Sequence, residues 1–236
     1  MKKTFISIVL FVLTAASLHS QWERLPSPNG GNILSIAFSG STTFTGTYGA
    51  GIFKSADNGS SWSAANNGMT NQYVYSMVVN GTTVFAGTYG SGVFVSNNNG
   101  SSWSASNSGL TNLFVNALTV SGSNIFAGTF GGIFLSTNNG SSWTAVNNGL
   151  TDPNIYTIAV NGSSIFTGTY TGAFLSTNNG SSWTKLNGGL GDSTSVLSFA
   201  FSGSTVFAGT YGNGVQVSNN NGSTWAAVNS GLTNLY

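Results

Sequence analysis

The sequence predicts an all-β repeat protein, and three observations lead to this fold class. Its tryptophans recur with a period of about 40 residues. Five of the six close a common octapeptide, which begins with serine and carries glycine at its fifth position. Between the octapeptides lie short runs rich in Val, Ile, Phe and Thr, and these runs are separated by glycine-containing turns. The tryptophans are Trp22, Trp62, Trp103, Trp143, Trp183 and Trp225.

The first 20 residues are predicted to be a secretory signal peptide. Lys2 and Lys3 precede an apolar run over residues 5–16, and small or polar residues follow as far as Ser20. This run is too short to remain as a membrane-spanning anchor. We therefore expect an exported chain of residues 21–236, either secreted or held at the cell surface or in the periplasm. A buried N-terminal helix is the alternative interpretation.

The composition of residues 21–236 excludes several function classes. Three positive charges against four negative ones leave a net charge of −1, so there is no basic patch for nucleic acid. The single histidine, His19, lies in the predicted signal peptide, and the chain has no cysteine. Triad chemistry, disulfides and histidine- or thiolate-bound metals are therefore not expected, and we predict no cofactor. The charged residues are Arg24, Lys54 and Lys185, with Glu23, Asp57, Asp152 and Asp192.

One complete unit shows how each period is built. The run 74–79 is followed by Asn80-Gly81, a pair that tolerates positive φ and so favours a two-residue hairpin. A second run covers residues 83–88, and after a glycine-containing turn a third covers residues 93–96. The octapeptide then makes another tight turn, and a fourth run begins at Trp103. Each unit therefore predicts four short antiparallel strands.

The other units align with this one position by position. Four antiparallel strands per period, repeated side by side, are typical of the blades of a β-propeller. A β-solenoid is the alternative, but its coils are usually shorter and its strands parallel. We predict five full blades plus one leading outer strand at Trp22. First runs begin at Ile33, Val74, Val115, Ile155 and Val196, and the second runs contain Phe44, Phe85, Phe126, Phe166 and Phe207.

The residues of the octapeptide suit a structural turn. A short side-chain oxygen at its third position can accept backbone N–H groups, which asparagine and aspartate both allow. The glycine permits positive φ, and the tryptophan ring can be buried between blades. The predicted turn residues are Ser55, Asp57, Gly59 and Trp62; Ser96, Asn98, Gly100 and Trp103; Ser136, Asn138, Gly140 and Trp143; Ser176, Asn178, Gly180 and Trp183; and Ser218, Asn220, Gly222 and Trp225.

The pattern S-x-D-x-G-x-[ST]-W resembles the Asp-box, or BNR repeat, of sialidase-type β-propellers. Five copies cover residues 55–225, but only Asp57 keeps the acid of the motif. The resemblance implies that the box joins the third and fourth strands, opposite the ligand face, and that its role is structural. A calcium loop is disfavoured because four of the five copies lack the carboxylate. The chain is also similar to photosystem II stability/assembly-factor-like propellers, which implies assembly rather than catalysis.

The resemblance does not carry catalytic residues over to this chain. Sialidases use an arginine cluster, whereas residues 21–236 contain only Arg24. Related xyloglucan-cleaving hydrolases use two carboxylates, and the candidates here are Asp152 and Asp192, in the fourth-to-first strand connections. Asparagine holds the equivalent positions in other units, so variation between Asn and Asp is the simpler explanation. We predict no enzyme; the alternative is a glycoside hydrolase whose catalytic residues lie largely outside this sequence.

Aromatic residues supply a stronger indication of function. One position in the turn between the second and third strands is always aromatic, and it shares a face with the fourth-to-first connections. Exposed rings among Asn, Thr and Gly suit sugar stacking or protein contacts, so we expect an extracellular or cell-surface protein or glycan as partner. Local packing of each ring over its hairpin, or a purely structural spacer, are the alternatives. The residues are Tyr48, Tyr89, Phe130, Tyr170 and Tyr211.

The two ends of the sequence predict an incomplete ring. Residues 22–25 align with fourth strands such as residues 143–146, whereas residues 231–236 copy residues 109–114, which precede a first strand. We therefore expect the N-terminal part of a longer chain with at least six blades, or alternatively a five-blade ring. An open arc would expose blade faces and favour self-association.

Overall fold

A computed structural model describes residues 32–191 and 194–236. These residues form twenty strands in five antiparallel sheets of four, each in the order of the chain. This confirms the predicted all-β fold of four-stranded blades, seen here as a partial β-propeller. The described residues include no helix that could span a membrane. The predicted signal peptide, the predicted strand at Trp22 and Asp192 lie outside the described residues.

The strand bounds repeat from blade to blade. Blade 1 contains β1 (Ile33–Ser39), β2 (Thr42–Thr47), β3 (Ile52–Ser55) and β4 (Ser63–Ala64), and blade 2 contains β5 (Val74–Asn80), β6 (Thr83–Thr88), β7 (Gly92–Ser96) and β8 (Ser104–Ala105). Blade 3 contains β9 (Val115–Ser121), β10 (Asn124–Thr129), β11 (Gly132–Ser136) and β12 (Thr144–Ala145). Blade 4 contains β13 (Ile155–Asn161), β14 (Ser164–Thr169), β15 (Gly172–Ser176) and β16 (Thr184–Lys185). Blade 5 contains β17 (Val196–Ser202), β18 (Thr205–Thr210), β19 (Val215–Ser218) and β20 (Ala226–Ala227).

The hairpin between the first two strands differs by one residue from the prediction. Asn80 pairs with Thr83 and ends β5, so the two turn residues are Gly81 and Thr82. Of these two, only Gly81 has a positive φ, at 61°. A hairpin with glycine first in the turn needs just that one left-handed residue. Asn80 therefore belongs to the strand.

Every first strand contains a β-bulge that the sequence analysis did not predict. In blade 2, Val74 pairs with Thr88 and Ser76 pairs with Gly87, which leaves Tyr75 without a partner of its own. Val74 and Met77 are three residues apart, yet both lie in the same buried cluster. Strict alternation would place them on opposite faces, so the extra residue is needed. Equivalent register shifts occur in the other four first strands.

The core lies between the blades. Between blades 1 and 2, Phe44 packs with Met77 and Phe94 of the next sheet, and Trp103 closes the cluster. Three further clusters join blades 2 to 3, 3 to 4 and 4 to 5. Phe44 and its equivalents in blades 2 to 4 are fully buried, and removing such a ring typically costs about 3–5 kcal/mol. Stability is therefore shared between neighbouring blades.

A glycine in each second strand lets the next blade approach closely. A Cβ placed on Gly87 would lie 2.6 Å from Cγ1 of Val115, the first residue of the next blade. The same clash would occur in the second strands of blades 1, 3 and 4. In blade 5, a Cβ on Gly209 would meet only the side chain of Ser198, in its own blade. The small residue is thus required where another blade follows.

The octapeptide turns connect neighbouring blades. In blade 2, Ser96 Oγ accepts a hydrogen bond of 2.9 Å from Gly100 N, and Asn98 Oδ1 accepts one of 2.9 Å from Ser102 N. The asparagine before the glycine has a φ of 54° to 56° in all five turns. Trp103 Nε1 then donates to the carbonyl of Ala65 in blade 1 at 2.8 Å. Trp143 and Trp183 repeat this bond to the preceding blade, whereas Trp225 Nε1 donates to Gly222 of its own turn.

We expect Gly87→Ala to lower the free energy of unfolding by about 1–3 kcal/mol, because the new methyl group overlaps Val115 across the blade interface. Gly209→Ala is the matched control, since its methyl group meets only a serine hydroxyl that can rotate. Urea unfolding followed by tryptophan fluorescence measures both. Equal losses in the two variants would contradict the role assigned to blade-to-blade contact.

Candidate binding face

The turns between second and third strands lie at one end of the sheets, and the octapeptide turns lie at the other. The predicted hairpin aromatics are exposed at the first end, which we call the hairpin face. Tyr170 and Tyr211 are 59% and 62% exposed, and Tyr48 and Tyr89 are also exposed. Phe130 is partly buried. The sequence therefore located a set of accessible rings.

A second set of rings comes from the connections to the next blade. Tyr73, Phe114 and Tyr236 each pack edge-on against a hairpin ring, at centroid distances of 5.0, 4.8 and 5.0 Å. Backbone bonds fix these connections, since the Leu113 carbonyl accepts hydrogen bonds from both Gly90 N and Gly92 N. The hairpin rings are thus packed against a neighbour and still exposed. Both interpretations made from the sequence describe part of this arrangement.

The third set consists of bulge residues, which the sequence analysis missed. Tyr75 stacks on Tyr89 at 5.2 Å with an interplanar angle of 22°, and it lies 6.3 Å from Tyr48 in blade 1. Tyr156 lies 6.4 Å from Phe130. The signal that could have revealed them is the three-residue spacing of buried positions such as Val74 and Met77, which breaks the period of two.

The three sets together form a continuous band of rings over blades 1 to 4. We call it the aromatic band, and it consists of Tyr48, Tyr73, Tyr75, Tyr89, Phe114, Phe130 and Tyr156. Its links are ring contacts between 4.8 and 6.4 Å. Tyr89 also lies 6.2 Å from Phe130, which joins blade 2 to blade 3 directly.

The phenol groups of the band stay neutral at physiological pH. Burial raises the pKa of Tyr75, and the neighbouring phenols of Tyr48, Tyr89 and Tyr73 raise it further. Burial also raises the pKa of Tyr156, with smaller contributions from Tyr170 and Asp152. These hydroxyls can therefore donate and accept hydrogen bonds without carrying charge.

Asp152 was predicted as a ligand-face candidate, but it lies beneath that face and is only 5% exposed. Its Oδ1 accepts from Asn154 N at 3.0 Å, and its Oδ2 accepts from Thr171 N at 2.7 Å and Thr171 Oγ1 at 2.8 Å. Burial raises its pKa, but the hydrogen bonds from Asn154 and Thr171 outweigh this and the pKa is lowered. The carboxylate is therefore ionised and already engaged.

The hairpin opposite each position explains why Asp occurs at 152 and Asn at 71. Asn71 Oδ1 accepts from Tyr73 N at 2.8 Å, as Asp152 does from Asn154 N, but its Nδ2 donates to the Tyr89 carbonyl at 2.9 Å. The blade 2 hairpin is one residue longer than that of blade 4 and presents a carbonyl, whereas the shorter one presents an N–H. The choice of side chain follows this difference in hydrogen-bonding partner.

The octapeptide side carries the other described carboxylate. Asp57 Oδ2 accepts from Ser61 Oγ at 2.6 Å, and its Oδ1 accepts from Ser61 N at 2.8 Å. These bonds from Ser61, with one from Ser55, lower its pKa from 3.8 to about 2. Asn98 closes the same turn in blade 2, where its Nδ2 donates to Ser102 Oγ. Within the part of the chain that the structure describes, no group of three or more potential metal-ligating residues occurs.

Comparison with known proteins establishes the fold alone. No protein-family profile matches the sequence, and no curated protein matches it significantly. Solved structures do match: an ancestral GH74 enzyme has a TM-score of 0.68 at 22% identity, covering 89% of this chain and 33% of that one. YCF48 bound to D1 peptide has a TM-score of 0.67 at 15% identity, covering 86% and 69%. PorZ, a surface component of the type-IX secretion system of Porphyromonas gingivalis, has a TM-score of 0.66 at 15% identity, covering 84% and 35%.

These matches are to β-propellers with different activities, and the chain spans only one third of the matched GH74 enzyme. A shared propeller fold supports many unrelated functions. The function therefore has to be argued from the residues on the hairpin face.

We expect Asp152→Asn to lower the free energy of unfolding by about 1–2 kcal/mol, because an amide turned to satisfy Asn154 N would point its NH₂ group at Thr171 N–H. Asp57→Asn is the matched control, because four other octapeptide turns already use asparagine there. Urea unfolding at neutral pH compares the two. A loss at Asp57 as large as that at Asp152 would contradict this account.

The acid stability of the chain should depend partly on Asp57. Its pKa is about 2 in the folded protein against an ordinary 3.8, so the unfolded chain binds more protons in between. The stabilisation is complete above about pH 4 and is lost as the pH falls toward about pH 2. We expect the melting temperature of the parent to fall more steeply over this range than that of Asp57→Asn. Parallel curves for the two proteins would refute the expectation.

Proposed function

We propose that this chain is an exported, non-catalytic β-propeller that binds a protein or glycan through its hairpin face, as a binding or scaffold module. The observation that carries the proposal is the aromatic band, a run of ring contacts across four blades. Propeller folds among the matched structures include YCF48 bound to D1 peptide and the surface component PorZ. These precedents support a binding role without naming the partner.

The chemistry of the band suits either kind of partner. Aromatic rings offer large apolar surfaces at low conformational cost, and tyrosine adds a hydroxyl that can hydrogen-bond. The rings are held by mutual contacts, by bulges and by backbone bonds such as Gly90 N to the Leu113 carbonyl. A surface ordered before binding loses less entropy when a partner docks. This favours recognition by shape and stacking.

Charge has little part in the proposed contact. The described cations are Lys54, in β3, and Lys185, in β16, and neither belongs to the aromatic band. Lys54 Nζ donates to the Asn99 carbonyl in an octapeptide turn, at the opposite end of the sheets. The one described carboxylate near the band is the engaged Asp152. The surface therefore suits an uncharged sugar chain or a neutral stretch of polypeptide.

The arrangement of carboxylates supports a non-catalytic role. A glycoside hydrolase normally needs two carboxylates flanking one bond. The two described carboxylates, Asp57 and Asp152, lie at opposite ends of the sheets and are each engaged within a turn. The match to a GH74 enzyme concerns the fold, which does not carry activity with it. Export is supported by the signal-peptide pattern of residues 1–20.

Replacing Tyr89, Tyr170 and Tyr211 together by alanine should weaken binding at least about tenfold, because aromatic side chains dominate many interfaces. The measurement is a glycan array and a pull-down from extracellular proteins, followed by titration of every partner found for the parent. Asp57→Asn, on the octapeptide side, is the control and should bind as the parent does. If the triple variant bound every partner equally well, the hairpin face would not be the binding surface.

Binding should also depend only weakly on salt. Raising the salt from about 50 mM to about 1 M should change Kd less than about threefold, since screening acts on charges that the face lacks. Titrations of one identified partner at several salt concentrations test this. A steep loss of affinity with salt would show that charged groups outside the aromatic band carry the contact.

A further inference from the structure

The two end blades carry apolar faces that the interior blades bury. On blade 1, Ile36 is 55% exposed and Phe38 is 68% exposed. The equivalent of Ile36 in blade 2, Met77, is only 5% exposed, because blade 1 covers it. First strands contact one another in the order β1, β5, β9, β13, β17, and the described residues show no contact of similar extent between β1 and β17. Both end faces are therefore open in the described arc.

Blade 5 presents a groove on its outer face. The groove has a volume of about 340 Å³, and Leu197, Gly209, Val215 and Leu232 contribute to its lining. Phe207 and Val215 are partly exposed, whereas their equivalents in blade 2, Phe85 and Val93, are fully buried. The groove lies where, in the other blades, the next first strand packs.

The interior interfaces show what such a groove accepts. In blades 1 to 4, the second-strand glycine contacts the Val or Ile that starts the next blade, as Gly87 contacts Val115 and Gly128 contacts Ile155. The side chain of the following first strand fills the space that a Cβ would take. Gly209 has no such neighbour among the described residues. The groove is thus shaped for an extended strand that begins with a β-branched residue.

The first strand of blade 1 has the matching sequence. Ile33-Leu34-Ser35-Ile36 aligns with residues 74–77 and 196–199, and Ile33 is 44% exposed. The side chains that blade 1 would offer, Ile33, Ile36 and Phe38, are uncharged, as are those of the blade 5 groove. One chain therefore carries both complementary halves of the contact that joins its own blades.

We propose that blade 1 of a second copy of this chain packs on the outer face of blade 5, repeating the blade-to-blade interface between molecules. Ile33 of one copy lies against Gly209 of the other, and Ile36 and Phe38 cover Phe207 and Val215. The two surfaces differ, so the association is head-to-tail and can extend beyond a dimer unless the ring closes. It does not involve the aromatic band, so it stands independently of the proposed binding function.

Light scattering of the purified full chain over a concentration series tests the proposal. Ile36→Asp with Phe38→Asp blocks the blade 1 face, and Gly209→Val with Val215→Asp blocks the blade 5 face. We expect the parent to associate, each blocked variant to be monomeric alone, and an equimolar mixture of the two to form dimers and nothing larger. That mixture restores one intact interface, which a general loss of folding would not allow. Circular dichroism confirms that each variant is folded, and Asp57→Asn is the control that should associate as the parent does.

Three results would overturn the proposal. A parent that stays monomeric at all concentrations would show that the end faces do not pair between copies, for example because residues of the same chain cover them. A dimer that persists in either blocked variant would indicate a symmetric contact elsewhere. A mixture of folded, blocked variants that stays monomeric would show that the two faces are not complementary.

Discussion

The close approach of one blade to the next is the constraint on which the rest of this structure depends. It requires a glycine in the second strand, such as Gly87, opposite a β-branched residue at the start of the next blade, such as Val115. Once the sheets are this close, the phenylalanine beside that glycine is sealed under the next octapeptide turn, as Phe85 is under Gly140. The tryptophan hydrogen bonds to the preceding blade then follow from the same spacing. Burial, turn geometry and blade order are thus consequences of one contact.

The hairpin face is a by-product of how the first strands reach that core. Val74 and Met77 must both face blade 1, and the bulge that allows this turns Tyr75 out of the sheet and onto Tyr89. The aromatic band therefore rests on the most buried strands of the fold. Mobile loops contribute little to it, because the hairpins are bonded to the following connections. A rigid surface of this kind is suited to recognition with little rearrangement.

Much of the fold could be predicted from the sequence because each unit repeats the same local signals. The octapeptide glycine, the strand-rich runs and the tryptophan period all mark turns and strands independently of tertiary context. Tyr75 and Tyr156 could not be placed, because their exposure comes from a bulge that only the packing of neighbouring blades enforces. Asp152 was placed on the ligand face because its role depends on an N–H from Thr171, 19 residues away, and on a hairpin shortened by one residue. The turn at Gly81 was displaced by one residue because Asn80 and Gly81 both tolerate turn geometry.

The unequal hairpins have a consequence for any repetitive partner. Blades 1, 2 and 5 have the longer hairpin with a paired ring, whereas blades 3 and 4 have the shorter one. Nearly identical units therefore present an unequal series of sites along the arc. A polymer laid across this surface would meet a different pattern from each end, so its two directions of travel would not be equivalent. A chain of near-copies can in this way read polarity.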